Sequence, residues 1–270
     1  MLTVSIVTYH NPIYEIDSLL DSILLTRIDR IFIIDNSKND LLRILEKKSP
    51  KIQYIHSQNI GYGSAHNIAI REAISMGSIY HIIVNPDIQF EPDVIDKLCT
   101  YMDLNNDIGQ IMPKIVYPNG ELQYLCKMVP TPMDLIFKRF IPKCFTRKKI
   151  HKFQLRFTGY NKVMNIPYLS GCFMFFRVSA LKDVGMFDER FFMYPEDIDI
   201  TRRMHSKYKT IFYPEVSIIH VHAAESYKSK KMLWIHIINM IKYFNKWGWL
   251  HDSERRCINN KLLKELGYKK

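Results

Sequence analysis

The sequence predicts an α/β protein with a mainly parallel central sheet flanked by helices. Within the first 110 residues, short apolar strand patterns alternate with helical patterns, as they do in βαβ units. Polar residues follow directly after several of these strands, at the sheet edge where parallel sheets bind ligands. A chain of 270 residues, of which 47% are hydrophobic, is also long enough to bury a large core.

Four short apolar runs predict strands in the first half of the chain. They cover residues 3–8, 30–34, 52–56 and 80–84. Apolar residues at helical spacing predict helices over residues 16–24 and 65–76, and Pro92 with Asp93 begins a third helix. The alternation places all four strand ends at one edge of the sheet.

Four polar residues come after three of these strands, and together they predict a ligand site. They are Tyr9, Asp35, Asn36 and Asp87. Each is also explained by an ordinary turn, since Asn and Asp are common turn residues. Asp87, which Pro86 holds rigidly, suits a divalent cation that bridges phosphate oxygens. Gly61 and Gly63 open the next helix, although two glycines alone are weak evidence for phosphate binding.

The pattern changes after residue 108. Residues 110–116 and 121–125 predict a hairpin, and residues 127–156 predict an irregular segment rich in basic and aromatic residues. Residues 166–177 predict a strand pair interrupted at Gly171, where a glycine permits close approach of a ligand or another backbone. A strand over residues 210–222 and a helical tail from residue 229 complete the chain.

An acidic and aromatic stretch, residues 185–203, is the strongest candidate for catalysis. Its carboxylates are Asp188, Glu189, Glu196, Asp197 and Asp199. Carboxylates crowded among apolar side chains have raised pKa values, as a general base near neutral pH requires. The alternative is an acidic N-cap before an ordinary amphipathic helix.

His220 and His222 project on the same face of the last predicted strand. Two such histidines are usually structural or surface residues. Beyond a carboxylate site, one of them could instead be a metal ligand.

The formal net charge of +11 indicates an anionic partner. The basic and aromatic segment suits a lipid diphosphate at an anionic membrane surface, single-stranded nucleic acid, or only solvent. No nucleic-acid-binding motif occurs elsewhere, so we expect no nucleic-acid partner. The tail helix either packs on the body or lies in the membrane interface with its tryptophans at headgroup depth.

Cellular location is predicted from what the sequence lacks. Five scattered cysteines without a CxxC pair suggest neither a disulfide framework nor a cysteine zinc site, so a reducing cytoplasm is the simpler expectation. The N-terminus reads as a strand and not as a signal peptide, and no apolar run approaches the roughly 20 residues needed to span a bilayer. We therefore expect a cytoplasmic protein, with the inner face of the cell membrane as its site of peripheral contact.

Six motifs follow one another between residues 2 and 226. They are SIVTYHNP, IIDNS, NIGYGSAHNIAI, VNPDIQF, SGCFMFFR and GMFDERFFMYPEDIDITRR. In this order they resemble the family-2 glycosyltransferases of the GT-A fold, and most closely the rhamnosyltransferase-like enzymes of bacterial surface-polysaccharide assembly. The resemblance implies a Rossmann-like sheet with a smaller acceptor-side region and a C-terminal helical tail.

The resemblance also implies where a nucleotide-sugar donor binds. Thr8, Tyr9, Asp35 and Asn36 would hold the base and ribose, and the glycine-loop helix would contribute Asn67 and Gly61 near the nucleotide. Asn85-Pro86-Asp87 stands at the Asp-x-Asp motif, so that Asn85 replaces the first acid and Asp87 reaches Mg²⁺ or Mn²⁺. Gly171 would leave room for the donor sugar.

In the same family comparison, Asp197 matches the catalytic base. It would deprotonate an acceptor hydroxyl that attacks the anomeric carbon from the face opposite the leaving group, which inverts that centre. Glu196 would orient the site or the acceptor. The donor would be a dTDP- or UDP-sugar, carrying rhamnose or another hexose, and the acceptor a glycan or a polyprenyl-diphosphate-linked sugar.

The implied domain organisation divides the chain at residue 225. Residues 1–225 would form the GT-A domain, with a nucleotide-sugar half over 1–110 and an acceptor half over 111–225. Residues 226–270 would form a basic, aromatic helical extension. The sequence leaves the oligomeric state open, a dimer included.

Two other functions remain open at this point. One is a sugar-nucleotide nucleotidyltransferase, although that class opens with a glycine-rich, basic phosphate loop that Tyr9-His10-Asn11-Pro12 does not supply. The other is a non-catalytic nucleotide-sugar-binding module, for which Asn85 would mark lost metal use. The presence of both Asp87 and Asp197 argues against such a module.

Overall fold

A computed structural model of the chain describes residues 1–135, 143–221 and 230–268. The described strands are β1 (Leu2–Thr8), β2 (Arg30–Asp35), β3 (Ile52–His56), β4 (Tyr80–Val84), β5 (Ile88–Gln89), β6 (Ile108–Val116), β7 (Cys126–Lys127), β8 (Met164–Asn165), β9 (Tyr168–Leu169), β10 (Phe173–Arg177) and β11 (Lys209–His220). The described α-helices are α1 (Ile13–Leu24), α2 (Tyr62–Ser75), α3 (Asp93–Leu104), α4 (Pro132–Leu135), α5 (Lys143–Phe153), α6 (Val178–Val184), α7 (Glu196–His205), α8 (Lys230–Trp247) and α9 (Ser253–Glu265). Short 3₁₀ helices cover Leu41–Lys48 and Arg156–Thr158.

The central sheet confirms the predicted fold class. Its strand order is β3-β2-β1-β4-β10-β6-β11-β5, and β8 pairs with β11. The first four strands are parallel, and β10 runs antiparallel to both β4 and β6. β1, β2 and β4 were predictable because they are short runs rich in apolar and β-branched residues that are buried on both faces, whereas the edge strand β3 alternates between buried and partly exposed residues.

The predicted hairpin after β6 is present only at its turn. The backbone N–H of Gly120 donates to the carbonyl of Tyr117, and a single antiparallel bridge joins Val116 to Leu122. No second strand follows within residues 121–125. Because β10 and β11 pair with opposite edges of β6, only the end of β6 has a free edge for another partner.

The predicted strand pair over residues 166–177 is wrong in its pairing. β9 pairs with β7 in a small second sheet, while β10 joins the central sheet. The segment predicted to be irregular contains the 11-residue helix α5 within its described part. Its residues 136–142 lie outside the described residues.

The C-terminal tail packs on the body and forms two helices. Met240, Tyr243 and Phe244 of α8 are buried in one cluster with Phe191 and Ile198. A buried ion pair reinforces this contact, since Arg202 donates from two nitrogens to the two carboxylate oxygens of Asp252, each over 2.8 Å. This packing agrees with the first of the two predictions for the tail. No described helix combines the length and apolar character needed to cross a bilayer.

Candidate active site

The carboxyl ends of β1 and β2 carry a buried polar cluster around Asp35. Thr8 and Asp35 are register partners, and the Thr8 hydroxyl donates to Oδ1 of Asp35 over 3.0 Å. The Tyr54 hydroxyl donates to Oδ2 over 2.8 Å. Burial, followed by the hydrogen bond to this carboxylate, raises the pKa of Tyr54. The fully buried carboxylate is therefore fixed in place by neutral donors.

Asn36 and Tyr9 lie next to this polar cluster. The backbone N–H of Asn36 donates to the carbonyl of Thr8, but its buried Oδ1 has no hydrogen-bond partner among the described residues. A buried acceptor without a donor costs free energy, so a ligand donor at this position would be stabilising. The Tyr9 side chain is 51% exposed beyond the end of β1.

The structure brings Asp87 and His220 together. Nε2 of His220 lies 3.3 Å from Oδ2 of Asp87, because β5 and β11 pair directly beside them. Gln123 holds the other side of the ring, with Oε1 at 2.9 Å from Nδ1, and donates from Nε2 to the His220 carbonyl over 2.7 Å. His222, the second predicted ligand, lies outside the described residues.

The charge of His220 depends on its neighbours. Burial opposes protonation, but the Asp87 carboxylate and Cys172 outweigh burial and raise the pKa of His220 to about 10. A divalent cation between the two side chains would displace this proton, since histidine binds metals as a neutral ring.

The donor set fits a hard divalent cation. No group of three His, Cys, Asp or Glu side chains that could hold a metal occurs in the described parts of the chain. A carboxylate with one further ligand is nevertheless the usual protein share of a Mg²⁺ site whose remaining ligands are substrate phosphates and water. Asp87 and His220 can supply that share.

Asp197 is held in a fixed orientation at the start of α7. Its Oδ2 accepts a hydrogen bond from the Gly171 N–H over 3.1 Å, and its Oδ1 accepts from the Ile198 N–H over 2.8 Å. Burial raises the pKa of Asp197 to about 6, against the opposing effects of Lys127 and these N–H groups. Asp197 is therefore ionised at neutral pH and can still accept a proton.

Glu196 is the neighbouring carboxyl of this pair. Burial, together with the charge of Asp197, raises the pKa of Glu196 well above its ordinary value. Its buried Oε2 has no partner among the described residues. Two adjacent carboxyls in one apolar setting titrate together, and burial favours a single negative charge on the pair.

Tyr62 connects the Asp87 loop to the Asp197 loop. Its hydroxyl lies 2.8 Å from Oδ1 of Asn85 and 2.9 Å from the carbonyl oxygen of Gly171, so its one hydrogen is shared between two acceptors. A third contact joins the same loops, since the Asn85 N–H donates to the Cys172 carbonyl over 2.9 Å. Burial, and then the charges of Glu196, Cys172, Asp197 and Asp87, raise the pKa of Tyr62 well above its ordinary value. The two predicted acids thus lie around one tyrosine.

The glycines are required by protein contacts. A Cβ added to Gly171 would lie 3.1 Å from Cβ of Asp197, and one added to Gly61 would lie 2.5 Å from the carbonyl oxygen of Phe192. Gly61 also has φ of +97°, where a side chain is strained. Because Gly61 has no side chain, the glycine loop can pack against the acidic stretch. Because Gly171 has none, its backbone can approach the Asp197 carboxylate.

Asn67 also holds the glycine-loop helix against the acidic stretch. Its Nδ2 donates to the Phe187 carbonyl over 2.9 Å and to Oε1 of Glu189 over 3.0 Å, and its Oδ1 accepts from the Phe187 N–H. Both ends of this buried amide are thus occupied by the protein. The geometry gives Asn67 a structural task and lends no support to the predicted contact with a nucleotide.

Lys127 is a site residue whose position the sequence did not reveal. Pairing of β7 with β9 puts Lys127 opposite Tyr168, with its Nζ 4.6 Å from the ring centroid and 3.4 Å from the hydroxyl. Burial lowers the pKa of Lys127, while the charge of Asp197 opposes that shift. A cation therefore faces the candidate base from the side of the small second sheet.

The comparisons with known proteins show the family of this chain. The family model described as "Glycosyl transferase family 2" matches residues 3–185, which end before α7 and its two acids. An N-acetylglucosaminyl-diphospho-decaprenol L-rhamnosyltransferase of Mycobacterium tuberculosis is 26% identical over 84% of this chain and 77% of its own length. The rhamnosyltransferase WbbL of Escherichia coli K12 is 25% identical over 86% of this chain and 85% of its own length.

Solved structures show the same fold at low sequence identity. S. aureus TarS, residues 1–349, superposes with a TM-score of 0.59 at 15% identity, over 99% of this chain and 72% of that one. The mannosyltransferase PcManGT from Pyrobaculum calidifontis, solved with GDP-Man and Mn²⁺, has a TM-score of 0.58 at 14% identity, over 100% of this chain and 75% of that one. Sheet order and neighbours confirm the GT-A fold. The chain belongs to glycosyl transferase family 2 and is a rhamnosyltransferase-like glycosyltransferase.

Proposed function

We propose that this protein transfers a sugar from a nucleoside-diphosphate sugar to an acceptor hydroxyl with inversion at the anomeric carbon. The carrying observation is the bridge made by Tyr62. Its hydroxyl contacts Asn85, in the Asp87 loop, and Gly171, whose N–H holds Asp197. A cation-holding acid and a base would thereby lie on either side of one tyrosine, close enough to act on one donor as an in-line displacement requires.

The nucleoside would bind at the ends of β1 and β2. The unpartnered Oδ1 of Asn36 suits a base imide N–H or a ribose hydroxyl, both of which are donors. Tyr9 offers an exposed ring on which a base can stack. Uracil and thymine both carry such an imide, in keeping with a UDP- or dTDP-linked rhamnose or other hexose.

Asp87 and His220 would hold Mg²⁺ or Mn²⁺ against the diphosphate. When bound, the cation stabilises the negative charge that the leaving nucleoside diphosphate acquires. Gln123 supports this role because its contact with Nδ1 leaves Nε2 of His220 directed at Asp87. Such outer contacts orient metal-binding histidines in many sites.

Asp197 would act as the base. Each of its oxygens accepts one backbone N–H, which leaves lone pairs for the acceptor hydroxyl. The hydroxyl oxygen forms a bond to the anomeric carbon as the bond to the diphosphate oxygen breaks. The hydroxyl proton moves to Asp197, and the bonding electron pair leaves with the diphosphate. Glu196, in its neutral form, would orient the acceptor.

The acceptor would be a growing glycan or a sugar on a polyprenyl diphosphate. The name of the mycobacterial relative specifies a lipid-diphosphate acceptor, and this chain has a matching charge distribution. No Asp or Glu occurs from residue 135 to residue 182, and within this range β9 and Gly171 lie beside Asp197. We place the reaction in the cytoplasm, at the inner face of the cell membrane, in bacterial surface-polysaccharide synthesis.

A donor panel with product analysis tests this proposal. Purified protein is incubated with UDP-, dTDP- and GDP-sugars, a lipid-linked acceptor and Mn²⁺, and nucleoside-diphosphate release is measured. We expect release with at least one donor, and a product whose new bond has the opposite anomeric configuration by NMR. Pyrophosphate exchange would indicate a nucleotidyltransferase, binding without turnover would indicate a binding module, and a retained configuration would exclude the single displacement.

A further inference from the structure

Helix α8 carries an exposed apolar stripe on the face turned away from the core. Trp234 is 64% exposed, Ile238 48% and Ile241 39%. Residues spaced by four and three lie on one helix face, so these three side chains form a continuous surface. We define them as the α8 stripe. Other exposed apolar side chains, such as Leu25 and Leu104, do not form such a row along a helix.

The opposite face of α8 anchors the helix firmly. Met240, Tyr243 and Phe244 are at most 2% exposed and pack with Ile198 of α7. Asn239 accepts from the Phe192 N–H over 3.2 Å, and Lys246 contacts Asp199 at 2.6 Å. The α8 stripe is therefore presented by a helix fixed against the helix that carries Asp197.

The chain segments of α8 and α5 contain no acid. No Asp or Glu occurs from residue 226 to residue 251, which includes all of α8, or from residue 135 to residue 182, which includes all of α5. α5 and α8 meet in space, since Phe153 of α5 belongs to the same buried cluster as Met240. Arg147 and Lys148 of α5 and Lys242 of α8 are exposed. The apolar row on α8 is therefore accompanied by exposed cations on α8 and on the neighbouring α5.

We propose that the α8 stripe is a docking surface for a membrane that contains anionic phospholipid. Trp and Ile side chains on a basic helix are typical of helices that lie in the interface plane, with apolar residues below headgroup level and cations beside the phosphates. The inference rests on the proposed lipid-linked acceptor for its purpose. A helix is about 10–12 Å across, so docking through α8 would bring α7 within roughly one helix diameter of the headgroups. The diphosphate of a lipid-linked acceptor lies at that level.

Flotation with vesicles tests the proposal, with a control matched in charge. The test variant combines Trp234→Glu, Ile238→Glu and Ile241→Glu. The control combines Leu25→Glu, Leu41→Glu and Leu104→Glu, which are 73%, 72% and 77% exposed and lie in the nucleotide-binding half. Both variants change the net charge equally and replace exposed apolar side chains.

We expect the wild type to float with phosphatidylcholine vesicles that contain phosphatidylglycerol, and not with phosphatidylcholine alone. The test variant should have a partition coefficient lower by roughly tenfold or more, while the control should lose much less. A second variant, Trp234→Phe, should still float but lose most of the vesicle-induced blue shift in tryptophan emission.

Three outcomes would overturn the proposal. They are failure of the wild type to float at low salt, equal losses in the two triple variants, and a wild-type dimer that does not float and that the test variant converts to a monomer. The last outcome would assign the stripe to a second copy of the chain. Nucleoside-diphosphate release with Mn²⁺ is measured in parallel, because the absence of turnover together with intact flotation would reject the proposed function and leave the docking surface standing.

Discussion

The Gly171 N–H donates to Oδ2 of Asp197 over 3.1 Å, while the Gly171 carbonyl oxygen lies 2.9 Å from the Tyr62 hydroxyl. One peptide segment therefore links the candidate base to the tyrosine that contacts the Asp87 loop. Such an arrangement fixes the base through backbone groups, which cannot change rotamer. The orientation of Asp197 should then be sensitive to small changes at residue 171.

Gly171→Ala should impair turnover more than folding. Its added Cβ would lie 3.1 Å from Cβ of Asp197 and must displace that side chain by a few tenths of an ångström. We expect kcat to fall by about tenfold to hundredfold, because catalytic geometry tolerates little displacement. Gly120→Ala is the control for backbone strain without a side-chain contact, since its φ is +82° and nothing lies within 4 Å of its added Cβ. Equal kcat in the two variants would show that Gly171 does not position the base.

Lys127→Met should shift the pH dependence of turnover upward. Asp197 must be ionised to accept a proton, so kcat should rise with pH around its pKa of about 6. Lys127 lowers that pKa, so its removal should move the acid limb of the kcat profile to higher pH. Lys162→Met, at an exposed position, should leave the limb in place. An unmoved limb in Lys127→Met would remove Lys127 from the site.

Gln123→Leu should weaken metal use without touching a metal ligand. Loss of the 2.9 Å contact with Nδ1 would free the His220 ring to turn away from Asp87. We expect the Mn²⁺ concentration for half-maximal nucleoside-diphosphate release to rise by about 10-fold to 100-fold. Gln53→Leu is the matched control, since Gln53 lies on the edge strand β3 and its side chain accepts a hydrogen bond from Arg30. Identical Mn²⁺ dependence in both variants would contradict the proposed metal pair.

Arg202→Met should lower the free energy of unfolding by up to about 3–5 kcal/mol, because the buried Asp252 carboxylate loses its two 2.8 Å hydrogen bonds from Arg202 and keeps Arg255 at 3.8 Å. The guanidinium is 1% exposed and also lies 4.0 Å from the Trp247 ring centroid, so charge and packing are lost together. Chemical denaturation measures the change. Lys261→Ala, which breaks an exposed pair with Glu265, should change it by less than about 1 kcal/mol. A similar loss of unfolding free energy in both variants would mean that packing of the C-terminal tail adds little to the stability of the protein.

Local patterns predicted the parallel half of the fold and its strand-end residues. β1, β2 and β4 are short runs rich in apolar and β-branched residues, so their burial on both faces could be predicted from composition. Asp35 and Asp87 followed from where those runs stop. The sequence offered His220 or His222 as a metal ligand, but the contact of His220 with Asp87 depends on the pairing of β5 with β11.

Contacts made by very short elements were not predictable. β7 and β9 have two residues each, too few for any periodicity, so the meeting of Lys127 with Tyr168 left no sequence signal. Tyr62 read as the first residue of a helix, and its bond to Asn85 depends on tertiary packing. Asn67 fitted a nucleotide motif, yet the acidic stretch uses both ends of its amide.

The kcat of Asp197→Asn under saturating donor, acceptor and Mn²⁺ shows whether Asp197 is the base. We expect kcat to fall by roughly 10²–10⁴ while calorimetric donor affinity stays within about twofold, since the base acts on the acceptor and not on the nucleotide. The folded Asp197 has a raised pKa, so its contribution to stability falls as pH rises from about 4 to about 6. The neutral amide removes this pH dependence, although its NH₂ group faces one of the two backbone N–H groups that donate to the carboxylate. A folded Asp197→Asn variant that keeps kcat within about tenfold of the wild type would contradict the account.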